Sequence, residues 1–312
     1  MSANKHEGIR GNTQKGVEVM TTSSRSDARP LSEGANIESW IGFKHFSYLA
    51  EGAVQYFLRD TGMSQDDMLR ETGESVDMVE FSLRLPSPLY ADSLVSLHVE
   101  GERANPLRPP TDALRVCGDR VSAEASVRCL EGRARLRGWS REELDATLSR
   151  TAQAGPAVSS TASIMRDAAP GLHDWLFTVP YPYCRASSVM QFDGYVRLVE
   201  DSVERFLRAQ GVSVRRLLVE RGWIPVVTRW SLTIDEPVLM EEELVIGTDV
   251  TGVFKGLLWD SNIGFHVVRD GERVTAARAS ITHGYAITRG RLSGKMAAFD
   301  DELLHAFGQS GK

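Results

Sequence analysis

The sequence predicts an α+β protein built from two tandem copies of one unit, each a curved antiparallel sheet wrapped around one long helix. Three observations predict it. The chain repeats itself: Phe57-Leu58-Arg59-Asp60-Thr61-Gly62-Met63-Ser64 returns as Phe206-Leu207-Arg208-Ala209-Gln210-Gly211-Val212-Ser213, a shift of 149 residues in a chain of 312. At that shift Glu51 meets Glu200, Val54 meets Val203, Gly73 meets Gly222, Phe81 meets Trp230 and Pro88 meets Pro237. A register held across a helix, a loop and a strand marks a duplication, and a duplication within one chain implies an intramolecular pseudo-dimer with its site at the seam. Each copy also opens on a long stretch with a wide apolar face at helical spacing. The segments after that helix alternate like half-buried strands in both copies, and one sheet curved over one helix is the simplest cover for that face.

Each element can be justified from its residues. Positions 1–34 are polar, rich in Ser, Thr, Gly, Lys and Arg, and lack the apolar core of a signal peptide; they read as a disordered arm. The first copy spans 35–151. Its long helix carries Phe46, Leu49, Ala50, Ala53, Val54 and Phe57 on one face and stops at Gly62. Ser64 caps a short helix from Gln65 to Glu71, ended by Gly73. Met78 to Leu85 alternates as a strand, Pro86-Ser87-Pro88 breaks it, and Leu94 to Glu100 resumes. Further strands are expected over Ala113–Cys117 and Val121–Leu136, the latter bent around Gly132. Ser140-Arg141-Glu142-Glu143 is a capping box that opens a helix running to about Thr151. The stretch 152–171, rich in Ala, Gly, Pro, Ser and Thr, reads as a linker. The second copy, 172–312, replays the plan: a long helix from Phe192 to Ala209, a short one from Val214 to Glu220, strands over Val226–Ile234, Glu243–Val250, Leu257–Val268 and Arg273–Ile287, and a closing helix from Asp300 to Phe307. Asp270-Gly271 is a hairpin turn signal.

Composition narrows the function. A net charge of −6 argues against nucleic acid as the main partner, because phosphate binding wants a basic face. No apolar run approaches the ~20 residues of a membrane helix. Three cysteines, Cys117, Cys129 and Cys184, form no CxxC pair, which fits a reducing, cytoplasmic setting. Without metal-ligand spacing or a Gly-rich phosphate loop, neither a metal nor a cofactor is expected. Arg133, Arg135, Arg137 and Arg141 form a basic cluster, either a solvated strand edge or a dock for an anionic carrier or a nucleotide phosphate.

In element order and in residues, the chain resembles the hotdog-fold superfamily over roughly 36–139 and 180–288, and so a tandem, double hotdog. Within it, the similarity is to the 4-hydroxybenzoyl-CoA thioesterase-like group and to its relatives from enediyne polyketide pathways. Their pattern is an Asp or Asn, a short loop, then an aromatic one turn into the helix, followed by a Glu or Gln. Asn36 takes the polar position, His45 precedes the aromatic, and Phe46 stands where Tyr is usual. In the second copy the aromatic is Tyr195 and the acid is Glu200, while the polar position falls on Arg185, which cannot be a base. The resemblance implies an acyl-thioester-processing enzyme of polyketide or fatty-acid metabolism, most simply a thioesterase hydrolysing acyl-CoA or an acyl-carrier-protein thioester. It also implies that Phe43 and Phe192 lie where the family uses a backbone N–H to polarise the carbonyl.

The residues themselves suggest roles. The start of each long helix offers unpaired N–H groups and a positive dipole end. Asn36 can orient a water, and Glu51 and Glu200 can act as base or acid, or as matched structural hydrogen-bond partners. His45 sits beside the apolar face. Arg185 and Arg197 can grip a carboxylate or phosphate. Asp193, at the start of the second long helix, stands where polyketide dehydratases place their catalytic Asp, or simply caps the helix. His98 and His283 fall on strands and read as structural. Because Asn36 faces Arg185 in the alignment, and Lys44-His45 faces Asp193-Gly194, the two seams are expected to differ: one working, entered by the Asn36 loop, and one vestigial or purely binding. The alternatives are a dehydratase, isomerase or cyclase on a carrier-bound polyketide, and a non-catalytic hotdog that binds acyl groups or a protein. Whether chains assemble further is not legible in the sequence.

Overall fold

The computed structural model describes residues 20–34, 40–62, 64–103, 113–153, 164–184, 188–270 and 272–309; Asn36 and Arg185 lie outside them. In the first half stand β1 (Met20–Ala28), α1 (Phe43–Asp60), α2 (Gln65–Thr72), β2 (Ser75–Arg84), β3 (Leu94–Arg103), β4 (Leu114–Val121), β5 (Ser126–Trp139) and α3 (Arg141–Gln153). In the second stand β6 (Leu172–Thr178), α4 (Phe192–Ala209), α5 (Val214–Arg216, continued by a π-helical turn over Leu217–Arg221), β7 (Trp223–Ile234), β8 (Glu243–Phe254), β9 (Leu258–Arg269), β10 (Glu272–Ile287) and α6 (Asp301–Ala306).

The two long helices are the same helix twice. α1 and α4 begin at Phe43 and Phe192 and are each 18 residues long, so their starts differ by the repeat shift. Each buries its apolar stripe, and each gives way to a glycine at positive φ, Gly62 at 74° and Gly211 at 79°, a conformation that costs a side-chain-bearing residue energy. Ser64 and Ser213 then cap the short helices, accepting from the amides of Asp67 and Arg216. Burial of side chains such as Val54, Phe57, Phe206 and Leu207, none measurably exposed, stabilises each wrap by roughly 1.5–3 kcal/mol per side chain.

The ten strands form one antiparallel sheet in the order β1-β3-β4-β5-β2-β7-β10-β9-β8-β6. The halves join at β2 and β7, where Ser82 pairs with Ser231, its own repeat mate. That self-pairing is the signature of a pseudo-two-fold axis, the intrachain version of a symmetric dimer interface. Beneath it, two further mated pairs make an aromatic cluster: Phe81 meets Phe192 at 5.0 Å and Trp230 at 5.3 Å, and Phe43 meets Trp230 at 5.7 Å. Both halves also bulge at the same place. The β2–β5 register slips at Val79 and the β7–β10 register at its mate, Thr228.

Three expectations change. The arm read as disordered over 1–34 contains β1, which pairs with β3 from Met20↔Arg103 to Ala28↔Val95. Its polar sequence hides it, because an edge strand can be held by its backbone ladder rather than by an apolar face. β6 is its repeat counterpart, Phe177 pairing with Leu244, each 149 residues beyond Ala28 and Val95; unlike β1 it carries apolar Leu172, Trp175, Leu176 and Phe177, yet it is not among the strands expected from the sequence. The strand expected over Val121–Leu136 is divided by a turn, Ser122 N donating to Ala125 O at 3.0 Å, with β5 starting at Ser126. The stretch expected as linker over 152–171 is partly ordered: α3 runs to Gln153, and Arg166 is tied to Asp174 at 2.7 Å and Asp249 at 2.8 Å. Residues 1–19 and 154–163 lie outside the described set.

Candidate functional site

α1 and α4 meet side by side at their repeat-equivalent positions. Arg197 Nε donates to the Tyr48 hydroxyl at 2.9 Å across the axis. Four residues back along α1, Lys44 Nζ reaches Glu200 Oε2 at 2.8 Å, three residues forward along α4. One index rises as the other falls, so the helices run antiparallel and the amino-terminal turn of each faces the middle of the other. This arrangement makes two seams, and a cavity opens at each.

At the α1 seam, the start of α1 and the body of α4 border a cavity of about 660 Å³, lined by Trp40, Phe43, Phe46, Leu85, Val203, Leu218, Ile224, Pro225, Val227 and Met296 among others. This lies within the ~300–1,000 Å³ of small-molecule sites, and the lining is mostly apolar with few polar groups, as such sites require. Its polar members include Glu200, from α4, and His283, from β10. Gly42 precedes α1 without any side-chain cap, so the first-turn amides carry the positive helix end into the seam.

At the α4 seam, a cavity of about 670 Å³ is lined by Tyr48, Glu51, Gln55, Gln65, Ser75, Gln191, Asp193 and Arg197 among others. It is the pseudo-symmetric mate of the first: Glu51, Gln55, Gln65, Leu69 and Ser75 here correspond to Glu200, Glu204, Val214, Leu218 and Ile224 there. The chemistry is inverted. Where Lys44 and Glu200 neutralise each other, the mates Asp193 and Glu51 are both acids. Glu51 is buried, and Asp193 Oδ1 has no hydrogen-bond partner among the described residues. Burial pushes the Tyr48 phenol up to about 12 against the opposing pull of Arg197, so Tyr48 stays protonated.

The predicted site residues therefore divide. Phe43 and Glu200 border the α1 cavity; Glu51, Asp193 and Arg197 border the α4 cavity. His45 borders neither. It is 2% exposed, packed against Gly34 and Tyr48, with Glu33 at 3.9 Å, and burial followed by the Lys44 charge lowers its pKa. Phe192 and Tyr195 are core: Phe192 packs on Phe81 and Trp230, and Tyr195 sits edge-on to Phe265 at 5.3 Å. Burial raises the Tyr195 hydroxyl's pKa, keeping it neutral. Sequence reasoning missed the partnership of Lys44 with Glu200 and the place of His283 at the α1 cavity. The opposite charges of Lys44 and Asp193 at one repeat position were the only signal for the first. Nothing local could signal the second, since it depends on how β10 pairs.

No family model matches the chain, and no curated protein matches its sequence. Solved structures do match its shape. A protein assigned as an oleoyl thioesterase from Lactobacillus plantarum aligns at TM-score 0.57 and 9% identity, over 85% of this chain and 96% of that one. The 12:0-ACP thioesterase from Umbellularia californica aligns at TM-score 0.57 and 10% identity, over 84% and 94%. An acyl-ACP thioesterase from Bacteroides thetaiotaomicron aligns at TM-score 0.51 and 8% identity, over 84% and 97%. At these identities the likeness is one of fold, and the fold is the double hotdog. Among the described residues no helix is long and apolar enough to cross a membrane.

Proposed function

We propose that this chain processes acyl thioesters, hydrolysing an acyl-CoA or acyl-carrier-protein thioester at the α1 seam. The observation that carries the reading is an apolar cavity of about 660 Å³ bordered by the uncapped start of α1 and by a carboxylate from the other repeat. The acyl group lies among Phe46, Val203, Leu218 and Ile224. The carbonyl oxygen faces the first-turn amides near Phe43 and Lys44, where negative charge on the tetrahedral intermediate is stabilised. Glu200 takes a proton from the attacking water, the C–S bond breaks, and the thiol leaves with a proton. Lys44, at 2.8 Å, holds the Glu200 carboxylate in position and adds a cation beside the developing oxyanion. The water-orienting role expected of Asn36 from the sequence belongs to the same reading. The shared fold with acyl-ACP thioesterases supports this reading. Mass spectrometry of acyl-CoA and acyl-carrier thioesters should show release of the free acid and free thiol; thioesters left intact across the panel refute it.

A second reading has its own observation. At the α4 seam two acids, Asp193 and Glu51, share a cavity with Tyr48 and Arg197, and Asp193 Oδ1 is unpartnered among the described residues. Paired acids suit proton transfer to and from a carrier-bound substrate, as in dehydration or isomerisation. In the same panel this chemistry appears as loss of water with the thioester intact.

A further inference from the structure

The outer face of the sheet, turned away from both long helices and both seam cavities, carries its own chemistry. Side chains opposite each other in register form rows across it. One row sets Arg115, Arg133, Ser82, Ser231 and Ser280 over β4, β5, β2, β7 and β10. The neighbouring row sets Glu131, Arg84, Arg229 and Thr282 side by side. Two pairs of arginines therefore stand directly opposite each other, Arg115 with Arg133 and Arg84 with Arg229, and like charges so placed destabilise a sheet. All four are exposed. Arg84 pairs with Glu131 at 3.0 Å and Arg229 with Asp260 at 3.1 Å. Arg115 and Arg133 have no ion-pair partner among the described residues, although Glu100 stands opposite Arg115 on β3. At the join of the two copies the surface sinks into an open depression of about 440 Å³, lined by Ser82, Ser231, Ser280, Thr282, Arg84 and Arg229 among others. The duplication shows that the fold does not need these cations. Both copies bulge at one place, so beyond it positions correspond by strand pairing: Leu136, opposite Met78, has His283, opposite Val227, as its counterpart. By the same pairing Arg133, opposite Ser82, corresponds to Ser280, opposite Ser231, and Arg115, opposite Arg133, to Asn262, opposite Ser280. Arg84 meets Thr233 at the 149-residue shift. The second copy builds the same sheet with serine, asparagine and threonine where the first carries arginine.

We propose that this depression binds a small ligand carrying two or more phosphoryl groups, held by Arg84, Arg133 and Arg229 with the hydroxyls of Ser82 and Ser231 between them. A guanidinium is the cation whose planar fork of N–H donors matches phosphate oxygens. Each has five such donors; Arg84 uses one on Glu131, and Arg229 uses two, on Thr282 and Asp260. The remainder are available to a ligand. Arg133 on β5 and Arg229 on β7 are separated by β2, roughly 10 Å across the sheet at the usual strand spacing. A diphosphate with a hydrogen bond at each end covers that distance, and a single phosphate does not. Glu80, Glu131 and Asp260 flank the cations on the same face, which disfavours a broad acidic protein surface and leaves room for a compact polyanion. Because the depression lies across the sheet from both seams, this site is independent of the acyl-thioester reading.

The test is calorimetry on the full-length chain at constant ionic strength, with inorganic pyrophosphate, orthophosphate and ADP as probes. Pyrophosphate should bind one per chain and roughly tenfold or more tighter than orthophosphate, since it engages more charge-assisted hydrogen bonds. Equal binding of ADP assigns recognition to the diphosphate alone and tighter binding of ADP to a nucleotide; either sustains the site. The double variant Arg84→Thr with Arg133→Ser installs the residues of the second copy. It should weaken pyrophosphate binding by about tenfold or more and leave the melting temperature unchanged or raised, because like-charge pairs are removed. Arg84→Lys, which keeps the charge and loses the fork, should weaken binding by less. Arg208→Ala, which removes an exposed arginine paired with Glu204 on α4, should leave binding unchanged. No binding at millimolar pyrophosphate overturns the proposal, as does undiminished binding in the folded double variant. An equal loss in Arg208→Ala, the mark of diffuse charge attraction, overturns it too, and so does an acidic protein that binds this face while pyrophosphate does not.

Discussion

The two seams share one backbone plan and carry opposite electrostatics. At one, the facing positions are Lys44 and Glu200, in contact at 2.8 Å beside an apolar cavity. At the other, the same two positions are Asp193 and Glu51, two acids beside a cavity lined by Gln55, Gln65, Gln191 and Arg197. The residues kept between copies are those that pack or turn: the Phe43–Phe192 pair in the aromatic cluster, the serine caps and the positive-φ glycines. Around the cavities Glu51 and Glu200 are kept, but Lys44 stands against Asp193, and Gln55, Gln65 and Ser75 against Glu204, Val214 and Ile224. Once a duplication is fused in one chain, each seam is free to change alone, because its two walls come from different copies. The geometry that encloses a ligand is held in common, and its chemistry is set by a handful of side chains.

That contrast can be broken in order of expected effect. Glu200→Gln should lower thioester hydrolysis by about 10²–10⁴-fold, the usual contribution of a positioned base, while its mate substitution Glu51→Gln leaves hydrolysis within a few-fold. Free-thiol release under saturating substrate checks both, and the reverse pattern moves the hydrolytic site to the α4 seam. Trp230→Ala removes the ring that packs on Phe43, Phe81 and Phe192, and should cost about 3–5 kcal/mol of stability by denaturant titration. A loss well under that range would mean the junction is not held by this cluster. Lys44→Asp copies the α4-seam residue into the α1 seam. It should reduce kcat/KM by at least tenfold and stability by no more than about 1 kcal/mol, because the ion pair is partly exposed. Unchanged kcat/KM would remove Lys44 from the site.

Acid should separate the halves further. His283 is held at about 3 by burial, against 6.5 when unfolded. Between those values the unfolded chain binds a proton that the native chain does not, so stability falls as pH drops below 6.5, by up to about 1.4 kcal/mol per pH unit from this group. His266, lowered by burial to about 4, acts in the same direction. Both belong to the second half of the sheet, and Leu136 stands in place of His283 in the first. Hydrogen exchange near pH 5 should show β9 and β10 opening before β4 and β5, and His283→Leu should flatten the acid limb of the stability profile. An acid limb identical in wild type and His283→Leu would contradict the neutral buried imidazole.

The sequence by itself determined what depends on near neighbours. Helical spacing, serine caps and terminating glycines placed α1, α2, α4 and α5, and the 149-residue register implied two like wraps and a pseudo-dimer seam. These are short-range preferences of backbone and side chain, so they are written locally. Tertiary structure alone decided the pairings: β1 and β6 as edge strands, Lys44 set against Glu200, His45 set apart from both cavities, and His283 brought to a cavity border by its pairing across a bulge. Those facts rest on which residues of distant segments come into contact when helices pack and strands take their register, and periodicity along one segment carries no information about the partner it will meet.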